Sequence, residues 1–231
     1  MLALAMPASA QVEGSSLTQR DYSDGSSGQV YIYSGGTFAS GVTVNTFSYV
    51  NTQGSEGDLT PILFQETSPG EYVIRGVGES LSHIVSSSVQ SAAFVLQYGT
   101  ATTGADYTFG FINSDVNGSG VQTSTSAGTV DFNEPYVGGN GAGGVGTDNQ
   151  WVFTPSSFNT DDNIALGASF GVGGEYGLNN NDDFWDLNRT YSAELSGTGV
   201  RAPDAGATAL LLLLSSGCMG IASRALRQRT A

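Results

Sequence analysis

Short runs of β-forming residues recur along the chain before residue 200, between clusters of Gly, Ser, Asn and Asp, and in many of them apolar and polar residues alternate with a period of two. Successive side chains of a strand point to opposite sheet faces, so this period predicts strands rather than helices. The predicted strands are Gln29–Ser34, Val42–Val50, Pro61–Gln65, Glu71–Val77, Ala92–Tyr98, Tyr107–Ile112, Gly128–Phe132, Gln150–Thr154, Ile164–Gly171 and Thr190–Gly197. Val, Ile, Phe, Tyr and Thr dominate these runs, and such side chains suit a pleated surface. In Val42–Val50, strict alternation assigns Val42, Val44, Thr46, Ser48 and Val50 to one face, and Thr43, Asn45, Phe47 and Tyr49 to the other. The runs are separated by turn chemistry: Ser34-Gly35-Gly36, Ser68-Pro69-Gly70, Asn117-Gly118-Ser119 and Gly173-Gly174. Ser68-Pro69-Gly70 predicts a hairpin loop between two of the strands. The pattern as a whole predicts an all-β fold, a single β-sandwich of jelly-roll type.

The pattern changes after the short linker Gly197-Thr198-Gly199-Val200-Arg201. From Ala205 to Ala222 no residue is charged, and Leu210 to Leu214 are consecutive leucines. As a helix this stretch would be about 27 Å long at ~1.5 Å per residue, slightly short of the ~30 Å hydrocarbon core of a bilayer. It predicts one C-terminal transmembrane helix and a transient anchor rather than a permanent one. Arg224, Arg227 and Arg229 follow, and basic residues stay on the cytoplasmic side of a membrane segment. The domain before Arg201 is therefore expected outside the membrane.

Pro203, Asp204, Gly206 and Thr208, then the leucines, then the arginines, form a three-part order. This segment resembles the PEP-CTERM class of bacterial sorting signals in its V-P-D-x-G-x-T variant, with Ala202 where that variant carries Val. The resemblance covers the C-terminal segment only. It implies that an exosortase-type membrane enzyme processes the chain near Pro203 and Asp204.

At the other end, Ala8-Ser9-Ala10 fits the small-x-small pattern before a signal-peptidase cut, which would leave Gln11 as the new N-terminus. The apolar part before it is short and no basic residue precedes it, so the true translation start is expected upstream. The two ends together imply Sec export and signal peptidase. Three segments follow: residues 1–10, a signal-peptide remnant; 11–200, the β domain; and 201–231, the sorting signal.

Composition narrows the function of the domain. All 10 Tyr, 11 Phe and 2 Trp lie between Tyr22 and Tyr191, which marks the extent of the folded unit. The chain has no lysine, and between Gln11 and Pro203 there are 20 Asp plus Glu against 4 Arg. Such a surface repels nucleic-acid phosphates, so no nucleic-acid partner is expected. The only cysteine, Cys218, lies in the apolar tail, so the domain has neither disulfides nor a cysteine nucleophile. Asn117–Gly128 and Gly138–Gly146 are low in complexity and read as surface loops.

Candidate chemistry is sparse. His83 is the single histidine; it sits among serines, and no nucleophile elbow accompanies it. Gly139-Asn140-Gly141-Ala142-Gly143-Gly144 matches the dinucleotide glycine pattern, but no helix-forming sequence follows it. Glu66, Glu71, Glu79, Asp131 and Glu134 are carboxylates from which a glycosidase pair would be drawn. Asp182, Asp183 and Asp186 concentrate oxygen ligands of the kind Ca²⁺ takes, and are the first choice for a cation. Trp151 and Trp185, with Tyr176 and Phe184, would form a sugar-stacking platform if exposed. Asn117-Gly118-Ser119 and Asn188-Arg189-Thr190 match the glycosylation sequon.

These observations lead to an exported bacterial surface or extracellular-matrix protein, non-enzymatic and without a required cofactor. It would pass through a transient inner-membrane anchor to the cell surface, with extracellular polysaccharide as its candidate partner. A carbohydrate-binding lectin-like module, with or without calcium, is the alternative, and a secreted glycan-active hydrolase the third reading.

Overall fold

The computed structural model describes residues 8–20, 22–24, 29–83, 85–114, 130–133, 151–153, 165–171 and 190–200. The chain divides into two compact units, Ala10–Gly199 and a second made of Met1–Ser9 with Val200–Ala231. The second unit lies almost wholly outside the described residues. The predicted transmembrane helix falls there.

Among the described residues every regular element is a strand. In chain order these are β1 Ala8–Gly14, β2 Tyr22–Asp24, β3 Val30–Tyr33, β4 Val42–Asn51, β5 Gly57–Ser68, β6 Glu71–Gly78, β7 Leu81–His83 and β8 Ser86–Ala93. They continue with β9 Leu96–Gly99, β10 Tyr107–Ile112, β11 Val130–Asn133, β12 Trp151–Phe153, β13 Ser169–Phe170, β14 Thr190–Tyr191 and β15 Ala193–Val200. One sheet has the order β1-β15-β4-β8. A larger one runs β12-β3-β10-β5-β6-β13, with β7 and β9 added on β5 and β6, and a small third sheet is β14-β11-β2.

The two larger sheets share one core. Val42, Val44, Phe47, Tyr49, Ala193 and Leu195 of the four-stranded sheet cluster with Tyr31, Tyr33, Leu63, Phe109, Phe111 and Trp151 of the larger one. Aromatic rings join the layers, Phe47 meeting Phe111 with ring centroids 6.2 Å apart, and within the larger sheet Tyr31 stacks on Phe111 at 4.9 Å. Offset and edge-on geometries match the opposed charge of ring faces and edges. The larger sheet carries a second cluster on its other face, built from Val30, Ile32, Ile62, Phe64, Ile74, Val77, Ile112 and Phe170. Buried on both faces, Leu59 to Phe64 of β5 are six consecutive buried residues. The period of two fades there because neither face is wet.

A β-bulge decides the face pattern of β4. Ser196 pairs with Thr46 but the next residue, Gly197, pairs with Val44, so Asn45 is the extra residue. A bulge shifts the alternation by one. Val42 and Val44 therefore point inward together with Phe47 and Tyr49. Strict alternation had separated these two pairs, so the single-face assignment is corrected: Thr43, Thr46 and Ser48 share the opposite, outer face.

Other departures from the predicted strands have similar local causes. Ala92–Tyr98 is not one strand. β8 ends at Ala93 in one sheet and β9 starts at Leu96 on the other, with Phe94 N–H bonding Asn45 O at 2.8 Å at the crossing. Thr190–Gly197 is broken at Ser192, whose N–H turns aside to Asp131 O at 2.8 Å. The Ser68-Pro69-Gly70 hairpin is present between β5 and β6. Gly70 there has φ of 77°, a conformation that favours glycine, and its N–H bonds Glu66 Oε1 at 3.0 Å. Gly110 in β10 is required for space, since a Cβ would lie 2.0 Å from Tyr31 O.

Candidate functional site

Trp151 is the first predicted site residue the structure relocates. It lies on β12, paired with Tyr33 of β3, and is 3% exposed. Its ring meets Tyr33, Phe109, Phe111 and Tyr191 edge-on, at centroid distances of 5.3 to 5.8 Å. Its indole N–H donates to Ser15 Oγ at 3.0 Å. No ring face is left for a sugar, so the stacking role predicted for Trp151 is corrected to a core role. Trp185, Tyr176 and Phe184 lie outside the described residues, as do Asp182, Asp183 and Asp186.

Asp131 is the most buried of the candidate carboxylates. β11 places it at 0% exposure, where Oδ1 accepts from Thr52 N–H at 2.8 Å and Oδ2 from Thr52 Oγ1 at 2.6 Å. Arg20 approaches the same group: its backbone N–H lies 3.5 Å from Oδ2 and its side chain bonds Ser192 Oγ at 2.6 Å. Burial lowers the Arg20 pKa and the nearby Asp131 charge raises it in return. Asp131 thus ties the N-terminal segment, the turn after β4 and β15 together, and its oxygens are occupied in doing so. Glu66 and Glu71 flank the β5–β6 hairpin, Glu79 is exposed just after β6, and Glu134 lies outside the described residues. Asp131 belongs to the small third sheet, and Glu66 and Glu71 to the larger one.

The predicted processing sites fall differently. The Ala10–Gln11 bond lies inside β1, next to β15 in the four-stranded sheet. Gln11 is held through its amide, with Nε2 donating to Glu13 Oε1 at 2.9 Å and to Thr37 O at 3.3 Å, and Oε1 accepting from Ala39 N–H at 2.9 Å. Pro203, Asp204, Gly206, Thr208, Arg224, Arg227 and Arg229 all lie outside the described residues, beyond the end of β15 at Val200. His83 is in β7, its backbone paired with Gly57. Among the described residues no helix is long and apolar enough to cross a membrane, and no three His, Cys, Asp or Glu converge on a metal position.

No family model, curated protein or solved structure matches this chain.

The Asn45 bulge creates an arrangement that alternation in the sequence concealed. On the outer face of the four-stranded sheet, Thr198, Thr43 and Thr102 form one cross-strand row. Ser196, Thr46 and Ala93 form the next, and Glu194, Ser48 and Ser91 the third. Only Ala93 and Glu194 in these rows lack a hydroxyl. Thr43 and Thr102 hydroxyls are 3.4 Å apart and those of Ser48 and Ser91 3.0 Å apart, and in each pair either oxygen can donate. Thr43, Thr102, Thr198 and Ser91 are exposed. The signal was present in the sequence as Ser and Thr density, but a one-residue error in phase divided it between two faces.

Proposed function

We propose that this chain is a non-enzymatic exported surface or extracellular-matrix protein, sorted by its C-terminal segment. The observation that carries this reading is the three-part order of that segment: Pro203-Asp204-Ala205-Gly206, the uncharged leucine run, and Arg224, Arg227 and Arg229. An exosortase-type enzyme processes it near Pro203 and Asp204 after Sec export and signal-peptidase cleavage, and the membrane anchor is transient. The body is a β-sandwich of jelly-roll type, a reading supported by the two sheets that share an aromatic core. Fractionation of cells expressing Pro203→Ala or Asp204→Ala tests the sorting. The variant chains are expected to accumulate at full length in the membrane fraction, and their normal processing and release would sink the proposal.

A carbohydrate-binding role is the second reading, and one observation favours it. The hydroxyl rows on the outer face of the four-stranded sheet offer donors and acceptors in a regular array. This replaces the aromatic platform, of which Trp151 has been withdrawn into the core.

A further inference from the structure

We propose that the outer face of the four-stranded sheet is a docking surface for a neutral extracellular polysaccharide, laid across the hydroxyl rows of β15, β4 and β8. This rests on the carbohydrate-binding reading above and assigns it a place, a partner class and a geometry.

The chemistry of the face selects the partner. A hydroxyl has one donor and two acceptor sites. When Thr43 bonds Thr102, and Ser48 bonds Ser91, each pair spends one donor internally. It keeps one donor and several lone pairs for a ligand, presented in the second pair by exposed Ser91, since Ser48 beneath it is 5% exposed. Sugar hydroxyls have the same dual character, so either polarity of contact can be made at the first and third rows. In the second row Thr46 donates to Asn45 Oδ1 and Ser196 to Thr46 O, and only acceptors are left. β-branched Thr is also stiff about χ1, so less side-chain entropy is lost on docking than with a long polar side chain.

Charge narrows the choice further. The chain carries a formal net charge of −14, yet the three rows contain a single charged residue, Glu194 at the end of the third. A polyanion approaching this face would meet the repulsion of the rest of the molecule. A polycation would find its partners among the carboxylates elsewhere. An uncharged polymer is the occupant that loses nothing at this face. Two exposed valines complete it: Val89 on β8, 47% exposed, and Val12 on β1, 50% exposed. Gln11 and Glu13 turn toward the segment around Gly36 to Ala39, which leaves Val12 on the outer side of β1. Apolar methyls beside hydroxyls match the C–H and O–H groups of a pyranose ring.

Strands are about 4.8 Å apart and alternate residues on one face about 6.8 Å apart, so the rows cover roughly 10 by 14 Å. That extent suits a polymer crossing the face rather than a single sugar.

The test is co-sedimentation of the full chain, in mild detergent, with insoluble cellulose and, separately, with alginate covalently coupled to agarose beads in the absence of calcium. The triple variant Thr43→Val/Thr102→Val/Thr198→Val removes three hydroxyls while keeping β-branched shape, so the strands should still form. Far-UV circular dichroism and the melting temperature check that they do. Binding to cellulose is expected to weaken at least about tenfold, the equivalent of one to three ordinary hydrogen bonds. Thr67→Val, in the distant β5–β6 hairpin, should bind like the wild type. If wild type binds cellulose and the triple variant binds equally well, the face is wrong while the carbohydrate reading stands. If wild type binds neither polymer, both fail. Preference for alginate, or a sedimentation profile showing the face occupied by a second copy of the chain, would overturn the neutral-polymer assignment.

Discussion

At the scale of single residues, side chains that look functional in the sequence are spent on holding the fold. Trp151 combines a large apolar ring with one N–H, and burial with Ser15 as acceptor satisfies both. Asp131 is similar, because a buried carboxylate persists only when its oxygens are bonded and its charge is opposed. Thr52 supplies two of those bonds and Arg20 lies beside them. Asp131→Ala should therefore destabilise the domain by about 1.5–3 kcal/mol, because the two Thr52 donors lose a charged acceptor. Urea titration checks this, and a loss under about 1 kcal/mol would mean the network is not structural. Nothing in the local sequence Val130-Asp131-Phe132 separates a buried Asp from an exposed one, since both fit a strand.

Among the elements, most strand positions were legible, and the misses share a cause. β3, β4, β6 and β10 coincide closely with the predicted runs because each is apolar enough to carry the period of two. β8 was not predicted beyond its last two residues: Ser86–Ala93 is mostly serine and alanine, and it is a strand because β4 lies beside it. As an edge strand with half-exposed residues it needs no apolar face. The bulge at Asn45 was equally hidden, since an inserted residue leaves no mark on composition. Its effect can be measured. Deleting Asn45 would leave Val42, Val44, Phe47 and Tyr49 on one face by strict alternation, since the residue removed is the unpaired one. The deletion variant should therefore still unfold cooperatively, and Asn45→Ala should cost no more than about 1 kcal/mol, as most substitutions at exposed sites do. A deletion variant that loses its cooperative melt would show that Asn45 does more than set the phase of β4.

For the molecule as a whole, charge is the dominant property. Burial raises the carboxyl pKa of Glu13 and of Glu194 above the ordinary value of 4.5, in Glu13 against the hydrogen bond from Gln11. A carboxyl whose folded pKa lies above its unfolded value binds more protons in the folded state between the two values. Its contribution to stability is therefore full below the unfolded value and is lost as pH rises through the folded one. The melting temperature should rise as pH falls from neutral toward the ordinary carboxylate range, and Glu13→Gln together with Glu194→Gln should flatten that rise. A melting temperature that falls steadily from neutral pH downward, in wild type, would contradict this sign. Tyr49, Tyr72 and Tyr98, pushed up to about 12 by burial, stay neutral over this range.

The sequence by itself determined the all-β class, the β5–β6 hairpin and the places of several strands, because period-two patterning and turn chemistry are local properties. It also determined the charge and the order of segments at the C-terminus, which are read one residue at a time. Tertiary structure alone decided which faces those residues share. The buried place of Trp151, the network around Asp131 and the hydroxyl rows all depend on register between strands far apart in the chain. Register is set by the sum of many cross-strand contacts, and one extra residue at Asn45 is enough to exchange the two faces of β4.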